Sequence, residues 1–138
     1  MAFRVFLDAN VLLDFFLKRA AYDDARKIIN LIVSKKIHGF VTPAIIHIVS
    51  YWVSKPYGKE KAKELILTLL ADVTVIDCNH ETAILALHSS IEDVEDALQY
   101  YTAIRHKLSF FISRDEKLQK SGIAQLPVYS PKEFLRFV

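Results

Sequence analysis

The side chains best suited to chemistry in this 138-residue chain stand at the ends of short apolar runs. Asp8 and Asn10 follow Phe3-Arg4-Val5-Phe6-Leu7. Thr42 follows Gly39-Phe40-Val41, Asp77 follows Val73-Thr74-Val75-Ile76, and Ser113-Arg114-Asp115 follow the run from Leu108 to Ile112. Glu92, Asp93, Glu95 and Asp96 crowd a short stretch ahead of that last run. If the runs are parallel strands, their carboxyl ends share one rim, where an open parallel sheet places its site. Carboxylates gathered there repel one another, and each is harder to ionise. A hard divalent cation, Mg²⁺ or Mn²⁺, relieves that repulsion and needs only two or three carboxylates, because it keeps several waters. Such a cation polarises a phosphodiester and lowers the pKa of an attacking water.

Other reactive side chains carry plainer readings. The five histidines show no metal-binding spacing, and His47, on an apolar segment, reads as a buried core residue. Cys78 is the single cysteine, which excludes a disulfide scaffold or a cysteine-built zinc site, and it reads as a small core residue. Asp14 reads as a solvated acid or one that supports the site from behind, and Glu92 as a surface acid. Tyr51-Trp52 and Tyr100-Tyr101 read as core and interface aromatics. Lys55, Lys59, Lys61 and Lys63 make a basic patch, either a solvated helix face or a surface that steers a phosphate backbone.

The elements that must position the acids alternate from end to end. Phe3–Leu7 reads as a strand. The spacing of Val11, Leu12, Phe15 and Phe16 predicts a helix over 11–18. Ala25, Ile28, Ile29 and Ile32 predict another over 22–33, with Asp23 and Asp24 at its positive end. Residues 39–41 form a strand. Thr42 then caps a helix opened by Pro43 and running to about Val53. Helices follow over 59–70, over 80–87 capped by Asn79, and from Val94 to about His106 capped by Asp93. Strands are expected at 73–76, 108–112 and 128–129. Ser130-Pro131-Lys132-Glu133 has the pattern of a capping box. Alternation of this kind implies right-handed crossovers and a three-layer α/β/α sandwich around a mainly parallel sheet. The strands are apolar throughout, as a sheet buried on both faces requires.

The length fits one domain spanning 1–138. Hydrophobic residues at 52% and charged residues at 25% exclude a disordered chain, and a net charge of +2 is too small to identify a nucleic-acid partner. Asp8 and Asp14 interrupt any signal-peptide core. The uncharged segment 37–54 is broken by His38, Gly39, Thr42-Pro43 and His47, so a strand plus a helix is expected and not a membrane span. Together with the lone cysteine, these features predict a soluble, cytoplasmic protein.

Three motifs in order resemble the PIN domain family. Phe6-Leu7-Asp8-Ala9-Asn10-Val11-Leu12-Leu13-Asp14 is similar to its opening motif, aspartate followed by threonine or serine and then asparagine. Asp93-Val94-Glu95-Asp96-Ala97-Leu98-Gln99-Tyr100 resembles its acidic helix start, and Ile112-Ser113-Arg114-Asp115 its late threonine/serine, arginine, aspartate/asparagine signature. The resemblance implies a Mg²⁺- or Mn²⁺-dependent endoribonuclease. Asp8, Asp96 and Asp115 would be the metal ligands, Asp93 or Glu95 would assist, and Asn10 and Ser113 would orient ligands or water. It also implies an RNA substrate, a homodimer and, for a small member, the toxin role of a toxin–antitoxin pair with a small antitoxin as partner.

The chain departs from the family pattern at two positions. The glutamate usual in the helix after the second strand falls on Ile48, next to His47, and the usual hydroxyl after the first aspartate is replaced by Ala9. The first departure motivates a different reading, a degenerate PIN domain that binds protein or RNA without cutting. A further alternative is an aspartyl-phosphate enzyme, since Asp8 and Asn10 resemble the haloacid dehalogenase-like opening with its second acid replaced.

Overall fold

The computed structural model describes residues 2–136 and 138. Among these, five strands and eight helices follow in the order β1 (Phe3–Leu7), α1 (Ala9–Phe16), α2 (Tyr22–Val33), β2 (Ile37–Val41), α3 (Pro43–Tyr57), α4 (Lys59–Leu70), β3 (Val73–Val75), α5 (His80–Leu87), α6 (Val94–Arg105), β4 (Phe110–Ile112), α7 (Glu116–Ser121), β5 (Val128–Tyr129) and α8 (Pro131–Leu135). The strands form one sheet in the order β3-β2-β1-β4-β5, and every neighbouring pair is parallel. The chain winds outward from β1 through β2 to β3, then returns to the other side of β1. The winding direction therefore reverses between β1 and β4, where open α/β sheets leave a crevice.

The sheet is covered on both faces. Val5, Phe6 and Leu7 are consecutive and all fully buried, which a one-sided sheet does not allow. On one face Gly39 lies against Ile32 of α2 so closely that an added Cβ would stand 2.7 Å from Ile32 Cδ1. On that face Phe110 also meets Phe134 of α8, edge to face at 5.5 Å. On the other face Phe6 stacks on Phe111 with ring centroids 4.6 Å apart, and Phe111 meets Tyr100 of α6 at 5.7 Å.

The caps follow the sequence pattern. Thr42, Asn79, Asp93 and Ser130 each accept a backbone N–H at a helix start, and Ser130 with Glu133 completes the capping box. Helix α1 lies two residues earlier than expected, β2 is longer, β3 and β4 are shorter, and two helices differ more. Helix α3 runs to Tyr57 through Pro56, not stopping near Val53. Pro56 forfeits the hydrogen bond to the Trp52 carbonyl yet the helix continues past it, and Gly58, at φ 87°, ends the helix by donating its N–H to Ser54 at 2.8 Å. Helix α7 was not expected, because Leu118 is its one apolar anchor.

Three side-chain readings are also corrected. His47 and Cys78 are exposed, not core residues. Tyr51 and Trp52, 54% and 45% exposed, lie on the outer side of α3, whereas Tyr100 is buried. Segment 37–54 is the strand β2 and most of α3, and no helix among the described residues is long and apolar enough to cross a membrane.

Candidate active site

The register of the central strands brings the first and last motifs together. Leu7 pairs with Ile112, so the residues that follow them, Asp8 and Ser113, emerge side by side at the carboxyl edge. The Asp8 N–H still donates to the Ile112 carbonyl at 3.0 Å. Asp8 Oδ1 accepts from the Ala9 N–H at 2.8 Å, capping α1, and Oδ2 accepts from the Ser113 hydroxyl at 2.7 Å. Asn10, in the first turn of α1, donates Nδ2 to Ser113 Oγ at 3.3 Å and accepts the Arg114 N–H at Oδ1, 3.2 Å. Asn10 and Ser113 thus hold Asp8 and the turn after β4 in one network.

Asp115 is fixed by the same turn. Its N–H donates to Ser113 Oγ at 3.0 Å, and its Oδ1 caps α7 by accepting from Lys117 N–H at 2.9 Å and Leu118 N–H at 3.3 Å. Its Oδ2 takes no hydrogen bond from a described residue, so that oxygen keeps its lone pairs for another ligand.

Asp96 arrives from α6, which two contacts lock against the strand ends. The Thr42 hydroxyl donates to Oε1 of buried Gln99, and the Tyr100 hydroxyl donates to the Leu126 carbonyl at 2.5 Å. Residues three apart share a helix face. With Gln99 tied to the end of β2, Asp96 therefore stands one turn nearer the rim. Its own N–H is held by the N-cap, Asp93 Oδ1, at 2.9 Å.

The electrostatics place these acids within one another's field. Burial raises the Asp8 carboxyl above its ordinary range, the Ser113 and Ala9 hydrogen bonds partly offset this, and the charges of Asp115 and Asp93 add to the rise. Burial, then the charges of Asp8, Asp93, Asp115 and Glu95, push Asp96 up to about 7. Glu95 is raised by burial and then by Asp93 and Asp8. Asp8, Asp96 and Asp115 thus converge on one rim from β1, α6 and the end of β4. Among the described residues no three His, Cys, Asp or Glu side chains close in far enough to hold a metal ion as they stand. The donors at the rim are hard oxygens, the type that Mg²⁺ and Mn²⁺ prefer.

A groove of about 730 Å³ opens beside this rim, lined by Asp93, Asp96 and Asp115 together with Lys117 and Lys120 of α7. Glu92 also lines it, and Glu95 does not. A smaller cavity, about 470 Å³, lies among α1, α2, α3 and α4 and is walled by Phe15, Phe16, Ile29, Leu65 and Leu69. It holds none of the rim acids.

Two features escaped the sequence. Asp14 is not solvated. It is 1% exposed, and Arg114 grips it with Nε on Oδ2 and Nη2 on Oδ1, the latter at 3.0 Å. Gln99 lies inside the motif that opens α6, but its tie to Thr42 depends on reach between elements far apart in sequence. Helix α3 brings no acid to the rim: its sequence has none, His47 is exposed, and Ile48 is partly buried against the core.

With this geometry in hand, comparison is direct. A profile of the PIN domain matches residues 4–117. The chain belongs to the PIN domain family. The Asp8–Asn10 opening is therefore a local likeness to haloacid dehalogenases and no more. Solved structures share the PIN fold. A toxin–antitoxin complex from Klebsiella pneumoniae aligns with TM-score 0.69 and 19% identity over 92% of this chain and 97% of that one. VapBC2 from Rickettsia felis, bound to a DNA fragment from its promoter, aligns with TM-score 0.67 and 17% identity over 91% and 96%. VapC20 of Mycobacterium tuberculosis, a Sarcin-Ricin loop cleaving toxin, aligns with TM-score 0.68 and 14% identity over 88% and 97%. No curated protein sequence matches this chain.

Proposed function

We propose that this PIN domain is a metal-dependent endoribonuclease that acts as the toxin of a toxin–antitoxin pair. One observation carries the reading: Asp8, Asp96 and Asp115, distant in sequence, meet at a single rim beside an open groove, where the charge of Asp115 reaches both Asp8 and Asp96 and that of Asp8 reaches Asp96. Asp8, Asp96 and Asp115 would hold Mg²⁺ or Mn²⁺, assisted by Asp93 or Glu95. When bound, the cation polarises the phosphodiester and lowers the pKa of a water. The chain supplies the placement. Ser113 and Asn10 fix the Asp8 carboxylate, Asp115 keeps Oδ2 directed away from its cap, and Asp93 holds the first turn of α6 so that Asp96 meets the rim. The toxin role is supported by the assemblies in which the structural relatives occur. An antitoxin segment with an apolar face would bury itself in the cavity among α1–α4, and the exposed Ile84, Leu85 and Leu87 of α5 favour a homodimer. A cytoplasmic location fits this role.

Asp8→Asn should abolish Mn²⁺-dependent cleavage of RNA, with an unchanged circular dichroism spectrum. A variant that cuts as fast as the parent would refute the assignment.

The second reading, a PIN module that binds without cutting, is favoured by the absence of any acid in α3. Titration calorimetry with Mn²⁺ separates the two. Heat at sub-millimolar metal, lost in Asp8→Asn, supports the nuclease; no heat at millimolar metal supports the module.

A further inference from the structure

We infer that Lys117 and Lys120 of α7 form a phosphate-binding strip that holds the RNA backbone alongside the rim acids. The inference rests on the ribonuclease reading and adds to it a subsite for the chain of phosphates next to the scissile one. The groove combines Asp93 and Asp96 at the start of α6 and Asp115, the cap of α7, with both lysines of α7. Such neighbours ordinarily pair. Yet the ion pairs among the described residues are Lys61–Glu64, Arg105–Glu81 and Arg114–Asp14, so neither groove lysine is neutralised by a protein acid.

The rotation of α7 is fixed, which aims the two lysines together. Leu118 is buried, Gln119 Nε2 donates to the Ser113 carbonyl at 2.8 Å, and Asp115 holds the first turn. A three-residue spacing then puts Lys117 and Lys120 on one face. Helix stability does not explain the pair. Lys120 in the last turn suits the helix dipole, but Lys117 in the first turn opposes it. A polyanion seated in the groove accounts for both. Its scissile phosphate would lie at the acids and its neighbouring phosphates at the ammonium groups, which act as point charges on a backbone whatever the base sequence.

The test is fluorescence anisotropy of a labelled single-stranded RNA of about a dozen nucleotides. It is titrated with the full chain carrying Asp8→Asn, in Mg²⁺, as salt rises from about 50 to 200 mM. Each phosphate contact contributes about 0.7 to the slope of log affinity against log salt for a single strand. Adding Lys117→Gln and Lys120→Gln should flatten the slope by about 1.4. Arginine at both positions should restore it, and Arg26→Gln with Lys27→Gln, exposed on α2 outside the groove, should leave it unchanged. Both groove lysines are exposed, so the variants should melt with the parent. An unchanged slope in the double glutamine variant, with the parent binding normally, overturns this subsite and leaves the ribonuclease reading intact. No salt-dependent binding by the parent, together with no cleavage by the unmutated chain, overturns both.

Discussion

At the scale of single residues, the rim is a place where the fold accepts unfavourable charge. Asp96 is pushed up to about 7 by burial and by four neighbouring acids, so the folded chain holds this proton far more tightly than the unfolded chain does. The associated stability is complete below the ordinary carboxylate pKa and is lost as pH rises through about 7. Asp8 and Glu95 shift in the same direction. In EDTA, Asp96→Asn should therefore raise the melting temperature at pH 8 by a few degrees, at roughly 3 °C per kcal/mol for a chain of this size. At pH 4 it should change little; a scanning calorimetry series across pH checks both ends. The buried Asp14 is paired with Arg114. Arg114→Ala would leave a carboxylate uncompensated and should cost near the low end of about 3–5 kcal/mol, the guanidinium being itself 42% exposed. Urea unfolding of Arg114→Ala, Asp14→Ala and the double variant should show the two losses to be strongly non-additive.

At the scale of elements, α6 is the part whose placement decides the site. The Thr42–Gln99 hydrogen bond is buried and joins the end of β2 to α6 one turn below Asp96. Gln99→Ala should leave the Thr42 hydroxyl unsatisfied, at about 1–3 kcal/mol. It should also weaken Mn²⁺ binding in calorimetry, since Asp96 loses its support; Thr42→Val with Gln99→Leu, which also removes the cap of α3, should recover only part of the stability and none of the metal affinity. The elements themselves were largely legible. β1, α2, α4, α5 and β5 begin and end where periodicity, caps and breakers place them. α7 was not, because six residues with one apolar anchor give no period, and its stability comes from Asp115 and from Gln119 reaching back to Ser113. Among the site residues, Asp8, Asn10, Ser113 and Asp115 were visible because parallel strands deliver their next residues to one edge. The Arg114–Asp14 pair, a hundred residues apart, and the Gln99–Thr42 tie depend on side-chain reach across elements, which no local pattern encodes.

At the scale of the whole molecule, the reversal of winding between β1 and β4 makes a crevice and fills it with acids from three separate stretches of chain. The cluster carries its charge penalty without metal, so a bound cation should stabilise the fold by mass action and by relief of repulsion. Mn²⁺ should raise the melting temperature more at pH 8 than at pH 5, because at the lower pH protons already occupy the raised carboxyls. The central claim is that Asp8, Asp96 and Asp115 share one cation. Anomalous diffraction from crystals soaked in Mn²⁺ tests it most directly. A peak bonded to oxygens of all three aspartates, including Oδ2 of Asp115, is expected. Well-ordered side chains at that rim with no peak at saturating Mn²⁺, or a peak on other residues alone, would contradict it.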